Sequence, residues 1–74
     1  MEIKLQGMYG LQNAIYAKDL KIGDIAVWNY GCEEQVLEID YTKSGKSMKI
    51  KILCVDSGKI LVRTLRINKL VCVK

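Results

Sequence analysis

VLEIDYTKSGKSMKIKILCVDSGKILVRTLRI, residues 36–67, carries two serine–glycine pairs set between apolar alternating runs, and its reading decides the fold. Ser44-Gly45 and Ser57-Gly58 each occupy the place of a two-residue hairpin loop. With Ser44-Gly45 as the first tip, Tyr41 faces Met48, Ile39 faces Ile50 and Leu37 faces Ile52. On the opposite side Asp40 meets Lys49 and Glu38 meets Lys51, so apolar pairs and opposite charges sort onto different faces, as a correct register requires. With Ser57-Gly58 as the second tip, Cys54 faces Leu61, Ile50 faces Leu65, Met48 faces Ile67, and Asp56 meets Lys59. The segment therefore reads as a three-stranded meander over roughly 34–42, 47–56 and 59–67. Its inner face carries Leu37, Ile39, Tyr41, Met48, Ile50, Ile52, Cys54, Leu61, Leu65 and Ile67. Burial of each such side chain is worth roughly 1.5–3 kcal/mol, so this face drives folding.

Working outward, AKDLKIGDIAV (17–27) predicts a short turn at Asp19-Leu20 and a tight turn at Gly23-Asp24 entering a strand. INKLVCVK (67–74) predicts a one-turn break and a last short strand at 70–73. The fold class is all-β. Five strands, several of them short, favour a small SH3-like barrel over residues 18–74, since an open sheet of this size leaves edges unprotected. Residues 1–17, broken by Gly7 and Gly10, read as an added strand or as a strap across the barrel.

The composition suits one thin-cored domain. A chain of 74 residues, half of them hydrophobic, buries roughly 60–65% of its unfolded surface. No apolar run approaches the ~20 residues of a membrane span and nothing reads as a signal peptide, which predicts a soluble, cytoplasmic protein with no membrane partner. Cys32, Cys54 and Cys72 are widely spaced and histidine is absent, which argues against zinc. Cys54 and Cys72 lie in apolar strands, as small buried hydrophobes do; Cys32, beside Gly31, is the candidate exposed thiol. Without histidine, a P-loop, a dinucleotide fingerprint or paired carboxylates, the expectation is a non-enzymatic protein without a cofactor.

Charge divides the chain. Residues 1–40 hold three basic and seven acidic side chains, whereas residues 41–74 hold nine basic and one acidic. A basic half suggests an anionic partner: nucleic acid, a phosphorylated small molecule or an acidic protein surface. Lys49 and Lys51 are partly explained by Asp40 and Glu38 across the strands. Arg66 falls beside Lys49 with no carboxylate of its own, and Lys43, Lys46, Lys69 and Lys74 lie near loop or chain ends.

Three further features are candidates for function. Val36, Leu53 and Val62 form an apolar row on the outer face, with Val55 and Ile60 beside it; such a row is either covered, here by Ile3, Leu5, Leu11 or Ile15, or used as an oligomer or partner interface. Arg63 falls on the inner face, where a guanidinium needs a partner. It can snorkel, pair with an acid such as Asp24, or line an anion pocket. Trp28 and Tyr30 depend on the loop between them and residue 35. A two-residue Gly31-Cys32 loop sets Trp28 opposite Gln35 on the inner face, with Ile25 and Val27 joining the outer row. A three-residue loop flips the set and exposes Trp28 and Tyr30, which could then stack on bases or cage cations. Arg63, Arg66, Lys69, Trp28 and Tyr30 are the ligand-binding candidates, and Val36, Leu53, Val55, Ile60 and Val62 the interface candidates.

AKDLKIGDIAVWNYG, followed by VLEI, SGKSMKIKI and RTLRINKLVCV, resembles small proteins encoded by bacteriophages and prophages that have SH3/Tudor-like barrels. The likeness covers about residues 17–73, and its most specific parts are the GD…WNYG element and the closing R-x-x-x-L-V-x-V pattern. It brings no catalytic residues with it. It implies an accessory protein acting in the host bacterial cytoplasm, of the kind that binds and blocks host machinery, antiviral defence included. The leading expectation is then an inhibitor that binds a host defence protein or sequesters its anionic nucleotide signal, as a homo-oligomer formed through the outer apolar row. A nucleic-acid-binding barrel and a structural module of a phage particle are the alternatives.

Overall fold

The computed structural model describes residues 1–74. Seven strands follow one another: β1 (Glu2–Ile3), β2 (Gln12–Tyr16), β3 (Ile25–Val27), β4 (Glu33–Tyr41), β5 (Ser47–Cys54), β6 (Ile60–Arg66) and β7 (Leu70–Val73). Single 3-10 turns lie at Ala17–Asp19 and Asn29–Gly31. All strand pairs are antiparallel, in the order β1-β2-β7-β3-β4-β5-β6. The all-β class and the β4–β6 meander match the sequence reading. The five-stranded closed barrel does not: the sheet has seven strands and is open, with β1 and β6 as its ends. Residues 1–16 supply the two additional strands, which extend the sheet beyond β7.

The sheet is apolar on both faces. On one, Ala17, Leu20, Ala26, Val36, Met48, Ile50, Ile52, Leu65 and Val71 form the main core, flanked by Ile15, Trp28, Ile39 and Ile67. On the other, Leu5 packs with Ala14 and Cys72, joined by Ile3, Met8, Val27 and Leu70. The sheet bends around the main core with local help. Ala17 N–H and Lys18 N–H donate to the carbonyls of Lys69 and Ile67, tying the first 3-10 turn to the break between β6 and β7.

The registers show where alternation holds and where it slips. Between β4 and β5 the pairs Tyr41–Met48, Asp40–Lys49, Ile39–Ile50 and Glu38–Lys51 are those read from the sequence. Beyond them Leu37 is skipped by a bulge, and Val36 rather than Leu37 faces Ile52. The bulge falls where β4 changes neighbours. Val36 N–H donates to the Asp24 carbonyl and Gly23 N–H to the Val36 carbonyl, so up to Val36 the strand is bonded to the β3 side as well as to β5. An extra residue lets the strand bend at that point. Val36 consequently turns inward and is fully buried, which corrects its assignment to the outer interface row.

Between β5 and β6 the register is displaced by two residues from the expected one: Met48 faces Leu65, Ile50 faces Arg63, and Ile52 faces Leu61. The cause is the loop. Cys54 N–H donates to the Lys59 carbonyl and Gly58 N–H to the Cys54 carbonyl, so the connection has four residues, Val55–Gly58, and Gly58 closes it at φ +73°. An even shift leaves every side chain on its expected face. Leu61 on the end strand β6 and Tyr41 at the last residue of β4, both assigned inward, remain exposed.

Candidate functional site

Trp28 lies just past β3, and the loop after it is longer than two residues: Trp28 N–H donates to the Cys32 carbonyl across Asn29–Gly31. A three-residue loop would expose Trp28 if β4 ran straight. The Leu37 bulge reverses the parity of β4 as well, and the two changes cancel. Trp28 therefore packs against the main core, on the same face as Ala26, Glu34 and Val36. Tyr30 parts company with it, at φ +64° and exposed in the loop tip.

Arg63 lies on the inner face opposite Ile50 and reaches Glu34. Its Nε donates to Oε1 at 2.6 Å and its Nη2 to Oε2 at 2.9 Å, a bidentate pair that also fixes the orientation of the guanidinium. The guanidinium stacks 4.8 Å from the Trp28 ring centroid. Glu34 is the one charged residue in the buried set, 4% exposed. The Cys54 thiol donates to its Oε2 at 3.6 Å. Burial works against the Glu34 charge, but the hydrogen bonds and positive charge of Arg63 outweigh it, helped by the nearby Trp28 N–H and Cys54 thiol. The carboxyl is held below its ordinary range. The same hydrogen bonds raise the Arg63 pKa further, against the opposing effect of burial. The Trp28 Nε1–H is buried without a hydrogen-bond partner of its own. Asp24, the acid named from the sequence as a partner for Arg63, instead accepts the Lys21 N–H within its own turn. Glu34 was missed because straight alternation from Leu37 puts it on the outer face. The adjacent apolar pair Val36-Leu37 is the signal of a bulge, and with Val36 inside, Glu34 follows it inward.

A groove of about 680 Å³ borders this cluster, lined among others by Trp28, Glu34, Cys54, Arg63, Lys69 and Cys72. It brings three of the ligand-binding candidates together: Trp28, Arg63 and Lys69. Arg66 and Tyr30 are not among its lining residues. Arg66 faces Ser47 on the outer side of β6. Tyr30 lies over Gly7, its N–H donating to the Gln6 carbonyl, while Gln6 N–H donates to Asn29 Oδ1. Groove cations are balanced by acids. Glu33, Glu34 and Asp56 line it beside Lys4, Arg63 and Lys69. Its most buried cationic group, Arg63, is already committed to Glu34.

The outer row survives in part. Val55, Ile60 and Val62 are exposed, Leu53 is half-buried beside them, and Val36 has left the row. The N-terminal segment does not reach these four residues. Ile3 and Leu5 cover Val27, Leu70 and Cys72 on the β7 side, Ile15 packs on the main core, and Leu11 is exposed. What remains is an apolar surface along β6, a strand at the end of the sheet. No helix of the chain is long and apolar enough to cross a membrane. No family model, curated protein or solved structure matches the chain.

Proposed function

We propose that the chain is a non-enzymatic binding protein of the phage accessory type, which inhibits host antiviral defence by engaging a host defence protein through the surface along β6. The observation that carries this reading is the uncovered apolar set Ile60, Leu61 and Val62 on the strand that ends the sheet, with Val55 exposed in the loop before it. Exposed apolar groups gathered on one edge of so small a domain mark a contact surface. The succession β7-β3-β4-β5-β6, with a one-turn break before β7, supports an SH3-like layout for residues 25–73. Sequestration of a free anionic nucleotide is the weaker arm, because the groove cation Arg63 already serves Glu34.

The test is plaque formation on bacteria carrying a defence system, with and without the chain expressed. Rescue that is lost in Val62→Glu, a substitution at an exposed position, supports the reading; no rescue across a panel of defence systems overturns it. A second reading, nucleic-acid binding, is favoured by one observation. Lys43, Lys46, Arg66 and Lys69 make no ion pair within 4.0 Å. Three of them meet at one place: Ile67 N–H donates to the Lys46 carbonyl and Lys69 N–H to the Arg66 carbonyl. That reading predicts binding to DNA or RNA that weakens steeply as salt rises, measured by fluorescence anisotropy.

A further inference from the structure

The edge of β6 has its own hydrogen-bonding inventory. Cys54 N–H bonds Lys59 at one end of the β5–β6 ladder, and Ile67 N–H bonds Lys46 at the other. Antiparallel pairing alternates, so residues 61, 63 and 65 turn their backbone groups toward β5, and Ile60, Val62 and Thr64 turn theirs outward. Since β6 pairs with β5 alone, no strand of the chain takes the N–H or C=O of these three residues. The opposite end of the sheet differs: β1 is only two residues long, whereas β6 has seven.

We infer that β6 is a strand-addition site, whose occupant is an extended segment of a partner protein with apolar residues alternating with Asp or Glu. Backbone groups of Ile60, Val62 and Thr64 supply the hydrogen bonds, and the exposed side chains of Ile60, Leu61 and Val62 supply apolar contact. Charge selects the occupant. Lys59 and Arg66 lie beside and on the strand, and no acidic residue occurs from Ser57 to Lys74. Lys59 and Arg66 have no carboxylate within 4.0 Å. A second copy of β6 would add further positive charge and no acid to this edge, and like charges brought close across strands are unfavourable. An acidic strand meets complementary charge in either direction.

The inference rests on the protein-binding reading above and names its mode. It is tested on the full chain with a seven-residue peptide alternating Val and Glu, blocked at both ends and matched to the length of β6. The controls are the same peptide with Lys for Glu, and one N-methylated on its bonding edge; neither touches the folding of the chain. The expected result is binding of the acidic peptide with a Kd below about 1 mM. The amides of Ile60, Val62 and Thr64 gain hydrogen-exchange protection, the Lys peptide binds at least about tenfold more weakly, and N-methylation abolishes binding. Equal binding of the Lys peptide, protection at other amides, absence of binding, or self-association that protects the same three amides overturns the inference. Because the assay uses no host component, peptide binding without plaque rescue removes the defence reading alone. Rescue without peptide binding removes the strand-addition mode alone.

Discussion

At Arg63 and Glu34 one bond geometry answers for two residues that would otherwise be out of place. Glu34 has almost no access to water, so removing its partner leaves a buried carboxylate unpaired. Arg63→Met is expected to cost about 2 kcal/mol, less than a fully buried pair would because the guanidinium is partly exposed, 41% of the side chain. That is a large share of the ~4–11 kcal/mol available to a domain of this length. The double variant Glu34→Leu/Arg63→Leu should recover most of the loss; urea denaturation measures both. The pair also sets a pH dependence. The folded Glu34 carboxyl is held below its unfolded value of 4.5, so its contribution is complete above that pH and disappears as acid protonates the folded carboxyl. Stability of the wild-type chain should fall below pH 4.5 more steeply than that of Glu34→Gln, read from denaturation midpoints at successive pH values. A second residue-scale prediction concerns Gly7. Gly7→Ala puts a methyl group into the Tyr30 ring at a φ of +77°, whereas Gly10, at φ +71°, faces open space. Both substitutions carry the ~1–2 kcal/mol left-handed cost, and the additional loss in Gly7→Ala reports the Tyr30 contact. In a Tyr30→Ala background that difference should vanish.

At the scale of elements, the bulge at Leu37 decides which residues are inside. Deleting Leu37 joins Val36 directly to Glu38, whose partners Ile52 and Lys51 are already consecutive, so pairs and faces are kept and only the bend that the extra residue allows is lost. The expected outcome is a thermal transition that stays cooperative but falls to lower temperature, whereas Leu37→Thr, which keeps the extra residue, should cost no more than about 1 kcal/mol. The same element shows what could be read from the amino acids and what could not. Ser44-Gly45 fixed its hairpin because charges and apolar groups agreed on one alignment over four successive pairs. Ser57-Gly58 gave the right faces and a register wrong by two, since the face test responds only to odd shifts. Val36 was misplaced because alternation assumes one residue per step, and a bulge breaks that assumption. Trp28 came out on the predicted face only because a longer loop and the bulge compensated each other. Glu34 could not be assigned to Arg63 until both displacements were known. The ladder end that leaves Ile60, Val62 and Thr64 free follows from strand order, which residue patterns in neighbouring segments do not encode.

For the whole molecule, the two apolar faces give the three thiols different fates. Cys32 is exposed, Cys54 is partly buried beside Glu34, and Cys72 lies under Leu5, where burial raises its pKa. Maleimide labelling followed by mass spectrometry should modify Cys32 first, Cys54 more slowly, and Cys72 only after unfolding. Removing residues 1–8 strips Ile3, Leu5 and Met8 from that face, and Cys72 should then react without denaturant.

Strand β7 is the seventh to be made, yet it lies between β2 and β3 and is the sole bridge between them. A growing polypeptide that has reached only Arg66 holds two pieces of sheet with no strand pairing between them, a hairpin of β1 and β2 and a four-strand ribbon from β3 to β6, joined only by the bonds of Gln6 to the Asn29-Tyr30 loop. Neither can seal its greasy side, and contacts between residues 14 and 72 span almost the entire sequence, a topology that slows closure. During synthesis the ribbon is therefore expected to stay partly open until β7 clears the ribosome. Assembly of this protein is expected to finish late, when β7 seats between β2 and β3.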